Sequence, residues 1–156
     1  MCHYCGCRQM SLIRDYIAEH ERATDLGGDA VRAIDSGDLA TARRYLAQMA
    51  AELTTHWRGE EEGIFRVMGR DPAYADYIAP LVAEHRQLAK LLGSADVADP
   101  ADQERIRAAL PELLEHISKE EDGLFPASLT TLTGADWDIS IEAWHTAHPG
   151  EALIAD

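Results

Sequence analysis

A ten-residue motif occurs twice in this chain, as HWRGEEEGIF at 56–65 and as HISKEEDGLF at 116–125. Each copy opens with a His-x-x-x-Glu pair, His56 with Glu60 and His116 with Glu120. Residues four apart lie one turn apart on the same face of an α-helix, so each pair would present an imidazole and a carboxylate together. Imidazole and carboxylate ligands without thiolate suit iron, manganese or zinc. The repeat therefore predicts a metal site built from two related halves.

A further histidine precedes each copy, in a repeated Ala-Glu-His step that ends at His20 and at His85. Taken alone, a histidine on an apolar helix face is more often an ordinary core or surface residue than a ligand. Taken together, four imidazoles and two carboxylates would be costly to bury without partners, and a metal ion removes that cost. We therefore expect a dinuclear metal centre held by His20, His56, Glu60, His85, His116 and Glu120.

Long helices must position these side chains. Apolar residues recur at helical spacing through four stretches rich in Ala, Leu, Glu and Arg, at about 10–35, 38–68, 72–93 and 100–132. Turn signals that combine a helix breaker with an N-cap candidate separate the stretches. Within them, Gly27-Gly28 predicts a kink or a break, and Pro111 predicts a bend.

The spacing of the four histidines predicts their relative height in a bundle. The midpoints between consecutive histidines fall at position 38, between 70 and 71, and between 100 and 101, each within a predicted turn. Because each helical residue rises ~1.5 Å, residues equidistant from a turn lie level in an antiparallel pair. The sequence therefore predicts an all-α fold, an up-down-up-down four-helix bundle with the four histidines at one level.

The length and net charge of the chain restrict its domain organisation and its possible partners. With 156 residues we expect a single domain, with a Cys-rich segment at 1–9, the bundle at 10–132 and an extension with a short extra helix at 133–156. The net charge of −14 argues against nucleic-acid and anionic-membrane partners. No apolar run approaches the ~20 residues that a membrane span requires. No secretory signal is visible at the start of the chain, so we expect a cytoplasmic protein.

The two ends of the chain carry a second set of metal-binding residue types. Three cysteines in six residues cannot form a disulfide framework, but they are close enough to share one zinc ion. In such a bundle the N-terminus of the first helix and the C-terminus of the fourth helix lie at the same end. The C-terminal tail could therefore supply a ligand to the cysteines. We expect a zinc site of Cys2, Cys5 and Cys7 with a fourth ligand from His3, His145 or His148. The alternatives are a flexible terminus that binds nothing and a thiol redox sensor.

The order of these motifs, His, His-x-x-x-Glu, His, His-x-x-x-Glu, resembles the hemerythrin-like (HHE cation-binding) domain over roughly residues 10–132. The resemblance implies an up-down four-helix bundle with two non-heme irons joined by an oxo or hydroxo bridge. It places His20 and His56 on one iron and His85 and His116 on the other, with Glu60 and Glu120 bridging, although the split between the irons stays open. Glu61 and Glu121 are interpreted first as a solvated acidic face and second as alternative metal ligands or carboxylates that support the ligands.

One departure from oxygen-carrying hemerythrins changes the functional expectation. Those proteins resemble this chain but carry an additional His in a His-x-x-x-His pair on the third helix. Here Leu81 and Ala89 occupy the positions four before and four after His85. The metals should therefore keep more open positions, which favours reactive chemistry over reversible O2 transport.

Three function classes follow from this interpretation. The first is a redox enzyme or scavenger that handles O2, NO or peroxide at open iron positions. The second is a sensor of O2, NO, iron or redox state that acts through a protein partner, and the third is a metal store or structural metal bundle. The sequence contains no nucleophile-base arrangement of Ser, Cys or Thr and no Gly-rich phosphate loop, so hydrolytic and nucleotide-dependent chemistry lack support.

Overall fold

The computed structural model describes residues 6–154, and within that range the protein is helical with no β-strand. The expectation of an all-α protein is confirmed. A 3-10 turn at Cys7–Gln9 precedes the first helix, and a π-helical segment at Glu120–Leu124 lies between α5 and α6. The α-helices are α1 (Ile13–Asp35), α2 (Leu39–Glu62), α3 (Ile64–Met68), α4 (Pro72–Ser94), α5 (Pro100–Lys119), α6 (Phe125–Thr131) and α7 (Gly134–Ala147).

Aspartate caps fix the start of three long helices at the predicted turns. Asp38, Asp71 and Asp99 each accept a hydrogen bond from a backbone N–H in the first turn of α2, α4 and α5. Such a cap satisfies one of the amide donors that a helix start leaves without a partner. Pro72 and Pro100 follow directly, where a missing N–H costs nothing. Local chemistry therefore sets these three boundaries.

Four long helices enclose a shared interior. Helix α1 packs against α2 and α5, and α4 packs against the same two helices. The buried core has one cluster at the start of α1, around Tyr16 and Phe125, and another near its end, around Ile34 and Ile106. A third cluster, which includes Trp57, has Leu88, Leu92 and Leu110 packed against it. Helix α7 covers α2 and α3 from outside.

Two of the predicted long helices are interrupted. The second ends at Glu62 and restarts at Ile64, because Gly63 adopts φ −108° and ψ −105°. A Cβ at Gly63 would lie 2.7 Å from the carbonyl oxygen of Gly59 and 3.2 Å from the Cα of Ser140. The break thus allows α7 to approach closely. The fourth predicted helix is divided by the π-helical segment.

Of the two alternatives predicted at Gly27-Gly28, the break is wrong, since α1 continues through both residues, and the kink stays a prediction. The reason for Gly27 is packing: a Cβ there would lie 2.5 Å from Cδ2 of Leu110. Pro111 lies inside α5, which continues to Lys119. In the part of the chain that the structure describes, every helix is too short or too polar to cross a lipid bilayer.

Candidate metal centre

The six residues predicted to bind metal lie together in the interior of the bundle. None of them is more than 4% exposed. Helices α1, α2 and α4 contribute His20, His56 with Glu60, and His85, whereas His116 comes from the end of α5 and Glu120 opens the π-helical segment. The structure therefore gathers side chains from four helices and the π-helical segment at one place in the interior.

One half of the centre is formed by His20, His56, Glu60 and Glu120, whose candidate ligand atoms all lie within 4.8 Å of one another. Nε2 of His56 is 3.2 Å from Oε1 of Glu60, and Nε2 of His20 is 3.1 Å from Oε2 of Glu120. The two imidazole rings are 4.5 Å apart between centroids. Two nitrogen and two oxygen donors thus converge on one point.

The other half is formed by His85, His116 and Glu120. Nε2 of His116 is 2.9 Å from Oε1 of Glu120 and 3.0 Å from Nε2 of His85. Oε2 of Glu60 faces this half at 3.7 Å from Nε2 of His85. Each of the two carboxylates therefore directs one oxygen toward each half, which is the arrangement expected of carboxylates that bridge two metals.

Nδ1 of each of the four imidazoles forms a hydrogen bond with a second glutamate, on the side of the ring away from the centre. An ionised carboxylate only accepts hydrogen bonds, so Nδ1 must donate and the Nε2 lone pair is left for a metal. Such outer carboxylates orient a ligating histidine and raise its basicity. The pairs are His20 with Glu121 at 2.9 Å, His56 with Glu19 at 2.6 Å, His85 with Glu61 at 2.8 Å and His116 with Glu84 at 2.7 Å.

These outer contacts repeat as the sequence repeats. Glu19 and Glu84 belong to the two Ala-Glu-His steps. Each accepts a hydrogen bond from the first histidine of the ten-residue motif that follows, His56 or His116. Glu61 and Glu121, one residue after the bridging carboxylates, serve His85 and His20. The reading of Glu61 and Glu121 as a solvated acidic face is therefore wrong. The roles of Glu19 and Glu84 were missed, although the repeated step was the signal for them.

The two halves differ in how their outer carboxylates are covered. The Glu19 side chain is 3% exposed, and Nε1 of Trp144 in α7 donates to its Oε1 at 2.8 Å. Nε2 of His148 lies 3.0 Å from the same oxygen. The Glu84 side chain is 33% exposed and pairs with Nζ of Lys119 at 2.6 Å. Helix α7 therefore covers one half and leaves the other near solvent.

The polar atoms at the centre fit a cation. Both carboxylate oxygens of Glu60 and of Glu120, and Nε2 of His20 and His56, have no hydrogen-bond partner among the described residues. Buried charged groups without partners are strongly unfavourable. A dication bound by these nitrogen and oxygen atoms would satisfy all of them, so the residues present fit a metal centre.

The electrostatics of the site agree with this fit. Burial lowers the pKa of His56, but the charges of Glu60 and Glu19 outweigh that effect and raise the pKa well above its usual value. Burial raises the pKa of Glu120, but the adjacent imidazoles of His116 and His20 outweigh that effect and hold the pKa well below the usual range. The site thus stabilises positive charge among its carboxylates, and a metal would displace protons from the imidazoles as it binds.

Aromatic rings surround the imidazoles. Trp57 and Phe65 stack on His85 with centroid separations of 4.9 and 5.7 Å. Phe125 stacks on His20 at 6.1 Å. Tyr16 meets the His56 ring edge-on at 5.5 Å. This apolar shell limits water around the centre and strengthens its electrostatic interactions.

Of the residues of the expected zinc site, Cys7, His145 and His148 lie within the part of the chain that the structure describes. Cys2 and Cys5 lie outside the described residues, Cys7 is buried and His145 is exposed. His148 is buried, and both of its ring nitrogens have protein partners, the Trp144 carbonyl at 2.8 Å and Glu19. Burial lowers the pKa of His148, but the hydrogen bond to Glu19 outweighs it and raises that pKa. His148 therefore supports the buried carboxylate, and the zinc site stays a prediction.

A helical protein with paired His and Glu ligands in its interior belongs to the class of metal-binding helix bundles. The family model of the hemerythrin HHE cation-binding domain matches residues 11–128, so this chain belongs to that family. No curated protein and no solved structure matches the chain significantly. Helix α7, with Trp144 and His148 at its end, lies beyond the matched range.

Proposed function

We propose that this protein is a non-heme di-iron protein that binds, or reacts with, O2, NO or peroxide at coordination positions that its side chains leave open. The observation that carries the proposal is the convergence of four imidazoles and two carboxylates into two adjacent groups. With both carboxylates shared, each group offers two imidazole nitrogens and two carboxylate oxygens. Both leave room for an added ligand around an octahedral metal.

Iron is the proposed metal because the family is a cation-binding one and the ligands are nitrogen and oxygen without thiolate. Glu60 and Glu120 would bridge, with His20 and His56 on one metal and His85 and His116 on the other. Bound iron would supply the redox and ligand-binding chemistry. We also propose the up-down-up-down order of α1, α2, α4 and α5, which the short connections at 36–38, 69–71 and 95–99 support.

The side chains around the ligands have separate tasks in this proposal. The four outer glutamates keep each imidazole in the tautomer that binds metal through Nε2. The aromatic rings packed on the imidazoles lower the polarity of the surroundings of the centre and so strengthen its electrostatic interactions. Neither task requires a further catalytic side chain, so the reaction class is set by the metal and by what reaches it.

Sensing is the second candidate, and one contact favours it. Nη1 of Arg8, in the 3-10 turn at the end of the Cys-rich segment, donates to Oε2 of Glu121 at 2.6 Å. Glu121 in turn accepts from Nδ1 of His20. A change in the N-terminal segment would therefore be felt at a metal ligand, and the reverse also holds. This candidate requires a protein partner that reads the segment.

The first experiment is elemental analysis for Fe, Mn and Zn in protein purified without chelator, followed by ligand assays. We expect about two irons per chain, as in dinuclear carboxylate bundles. Steady-state consumption of peroxide or NO by the iron form, and none by the apo form, would support an enzyme or scavenger. Stoichiometric and reversible binding without turnover would support a sensor. Protein with neither iron nor manganese would contradict the di-iron proposal.

The terminal zinc site is proposed separately and has its own test. Replacing Cys2, Cys5 and Cys7 with Ser should remove about one zinc per chain while leaving the iron content unchanged. Unchanged zinc content and an unchanged melting temperature would reject the zinc proposal. In that case, the mass of the wild-type protein after mild peroxide treatment would show whether the cysteines act as a redox sensor.

A further inference from the structure

A groove runs between α4 and α5 and reaches the metal-binding residues. Its volume is about 450 Å³, and His85 and His116 both line it. Trp57 and Leu88 form apolar parts of its wall, and Glu112 lies along it one helical turn before His116. A water molecule occupies roughly 30 Å³ in the liquid, so small ligands fit this space easily. The groove therefore connects solvent with one half of the centre.

The corresponding surface over the other half does not reach the ligands. A groove on the α1 and α2 side is lined by residues that include Ala51, Glu52 and His148, and none of the six candidate ligands lines it. His148 and Trp144 instead hold Glu19, which stands between α7 and His56. On this side the end of α7 separates the imidazoles from solvent.

The exposure of the outer carboxylates differs in the same direction. Glu84, which holds His116 and lines the groove, has a side chain that is 33% exposed, whereas Glu19, which holds His56, is 3% exposed. Leu81, one turn before His85, is buried in an apolar cluster and adds no donor. The half on the groove is thus also the half whose outer carboxylate meets solvent.

From these observations we propose that exogenous ligands enter through the groove between α4 and α5 and bind on the His85 and His116 side of the centre. The ligands are small molecules that coordinate through oxygen or nitrogen. The inference rests on the proposed function, because it names where the added ligand of that function binds. The inference requires that small ligands reach one half of the centre more easily than the other. It does not depend on which reaction follows binding.

The sequence repeat supplies a matched pair of variants for the test. Glu112 lies four residues before His116 and lines the groove, and Glu52 lies four residues before His56 and lines the surface on the other side. We expect Glu112→Trp to fill the groove and Glu52→Trp to fill only the unconnected surface. Each substitution places the same side chain one turn before a ligating histidine.

The measurement is azide association with the iron-loaded protein, followed by stopped-flow absorption of the azide-to-iron charge-transfer band. Glu112→Trp should slow association at least about tenfold, because the ligand must wait for the blocked route to open. Glu52→Trp should stay within about twofold of wild type, since its surface lies off the route. Iron content and melting temperature show that both variants retain the folded centre.

A second pair guards against misfolding of the first. Ala108 lines the groove one helical turn further from His116 than Glu112 does, and Ala51 lines the other surface. Both positions are exposed, so Ala108→Trp and Ala51→Trp should leave the fold intact. Equal azide rates in all four variants, or slowing confined to Glu52→Trp and Ala51→Trp, would overturn the inference and leave the proposed function standing. Fully iron-loaded wild type that binds neither azide nor NO would overturn the proposed function and this inference together.

Discussion

Glu19 and Glu84 offer a test of how strongly the outer carboxylates control metal binding. They occupy equivalent positions in the sequence repeat and accept a hydrogen bond from Nδ1 of His56 and of His116, at 2.6 and 2.7 Å. Their side chains are 3% and 33% exposed. Glu19→Gln and Glu84→Gln make the same small change in a buried and in a partly solvated setting.

In the buried setting the amide cannot replace the carboxylate. Glu19 accepts from His56 on one oxygen, and on the other it accepts from Trp144 and faces His148. A glutamine has one acceptor oxygen, so its NH2 group must face either His56 or the two donors from α7. Facing His56, it would turn the ring to the tautomer with hydrogen on Nε2, the nitrogen needed for metal. If the NH2 group faced α7 instead, it would point its own N–H groups at the N–H donor of Trp144.

The expected magnitudes follow from this difference. Loss of an outer-sphere partner typically weakens metal binding about 10- to 100-fold, or roughly 1.4–2.7 kcal/mol. We expect Glu19→Gln near the upper end, at about 100-fold, because no water can relieve the mismatch. We expect Glu84→Gln at about tenfold or less, since solvent can rearrange around it and its partner Lys119 is partly exposed.

The assay is competition for Fe(II) or Co(II) against a chromophoric chelator at fixed pH, on wild type and both variants. Apo-protein melting temperatures, measured in parallel, separate a loss of metal affinity from a loss of fold. Equal weakening in the two variants, or greater weakening in Glu84→Gln, would show that burial by α7 does not strengthen the control exerted by Glu19.

Three further predictions concern packing and ligation. Gly28→Ala, whose nearest outside atom is an arginine nitrogen at 3.4 Å, should raise the free energy of unfolding by about 0.5–1 kcal/mol, because alanine favours a helix interior. Gly27→Ala should leave the protein about 1–3 kcal/mol less stable than Gly28→Ala does, because its new Cβ would lie 2.5 Å from a side-chain carbon of α5. Urea unfolding of the two variants measures this difference, and equal shifts would reject the packing argument. His56→Ala should lose metal and lower the melting temperature of protein purified with iron, since the metal binds only the folded centre, and a variant with full iron content would refute the ligand assignment. Trp144→Phe keeps an aromatic ring but removes a donor to a buried carboxylate, so it should destabilise the protein by about 1.5–3 kcal/mol, and an unchanged midpoint in thermal unfolding would contradict that role.

The clustering of the candidate ligands could be predicted from the sequence because their arrangement follows local rules. A four-residue step keeps His56 with Glu60, and His116 with Glu120, on one helix face. The caps at Asp38 and Asp99 fix the helix starts, and the starts fix which residues lie level. The four-residue step and the aspartate caps each act on residues only a few positions away in the sequence.

The parts that the sequence did not reveal depend on contacts between distant segments. Trp144 meets Glu19 across 125 positions of chain, and no periodic pattern encodes that contact. The π-helical segment at Glu120–Leu124 also differs from the α-helix that the apolar spacing predicts. Gly63 illustrates the same limit, since its break serves the close approach of α7, which lies far along the chain.

The cover that α7 places over one half of the centre has a consequence for spectroscopy. A repeated sequence that built two equal half-sites would give two metals with one common signature. Here one outer carboxylate is enclosed by an indole and an imidazole, whereas its counterpart meets a lysine at the edge of solvent. In the proposed dinuclear centre, His56 and His116 would therefore hold their metals in different surroundings, and a method that reads each metal individually would distinguish the two.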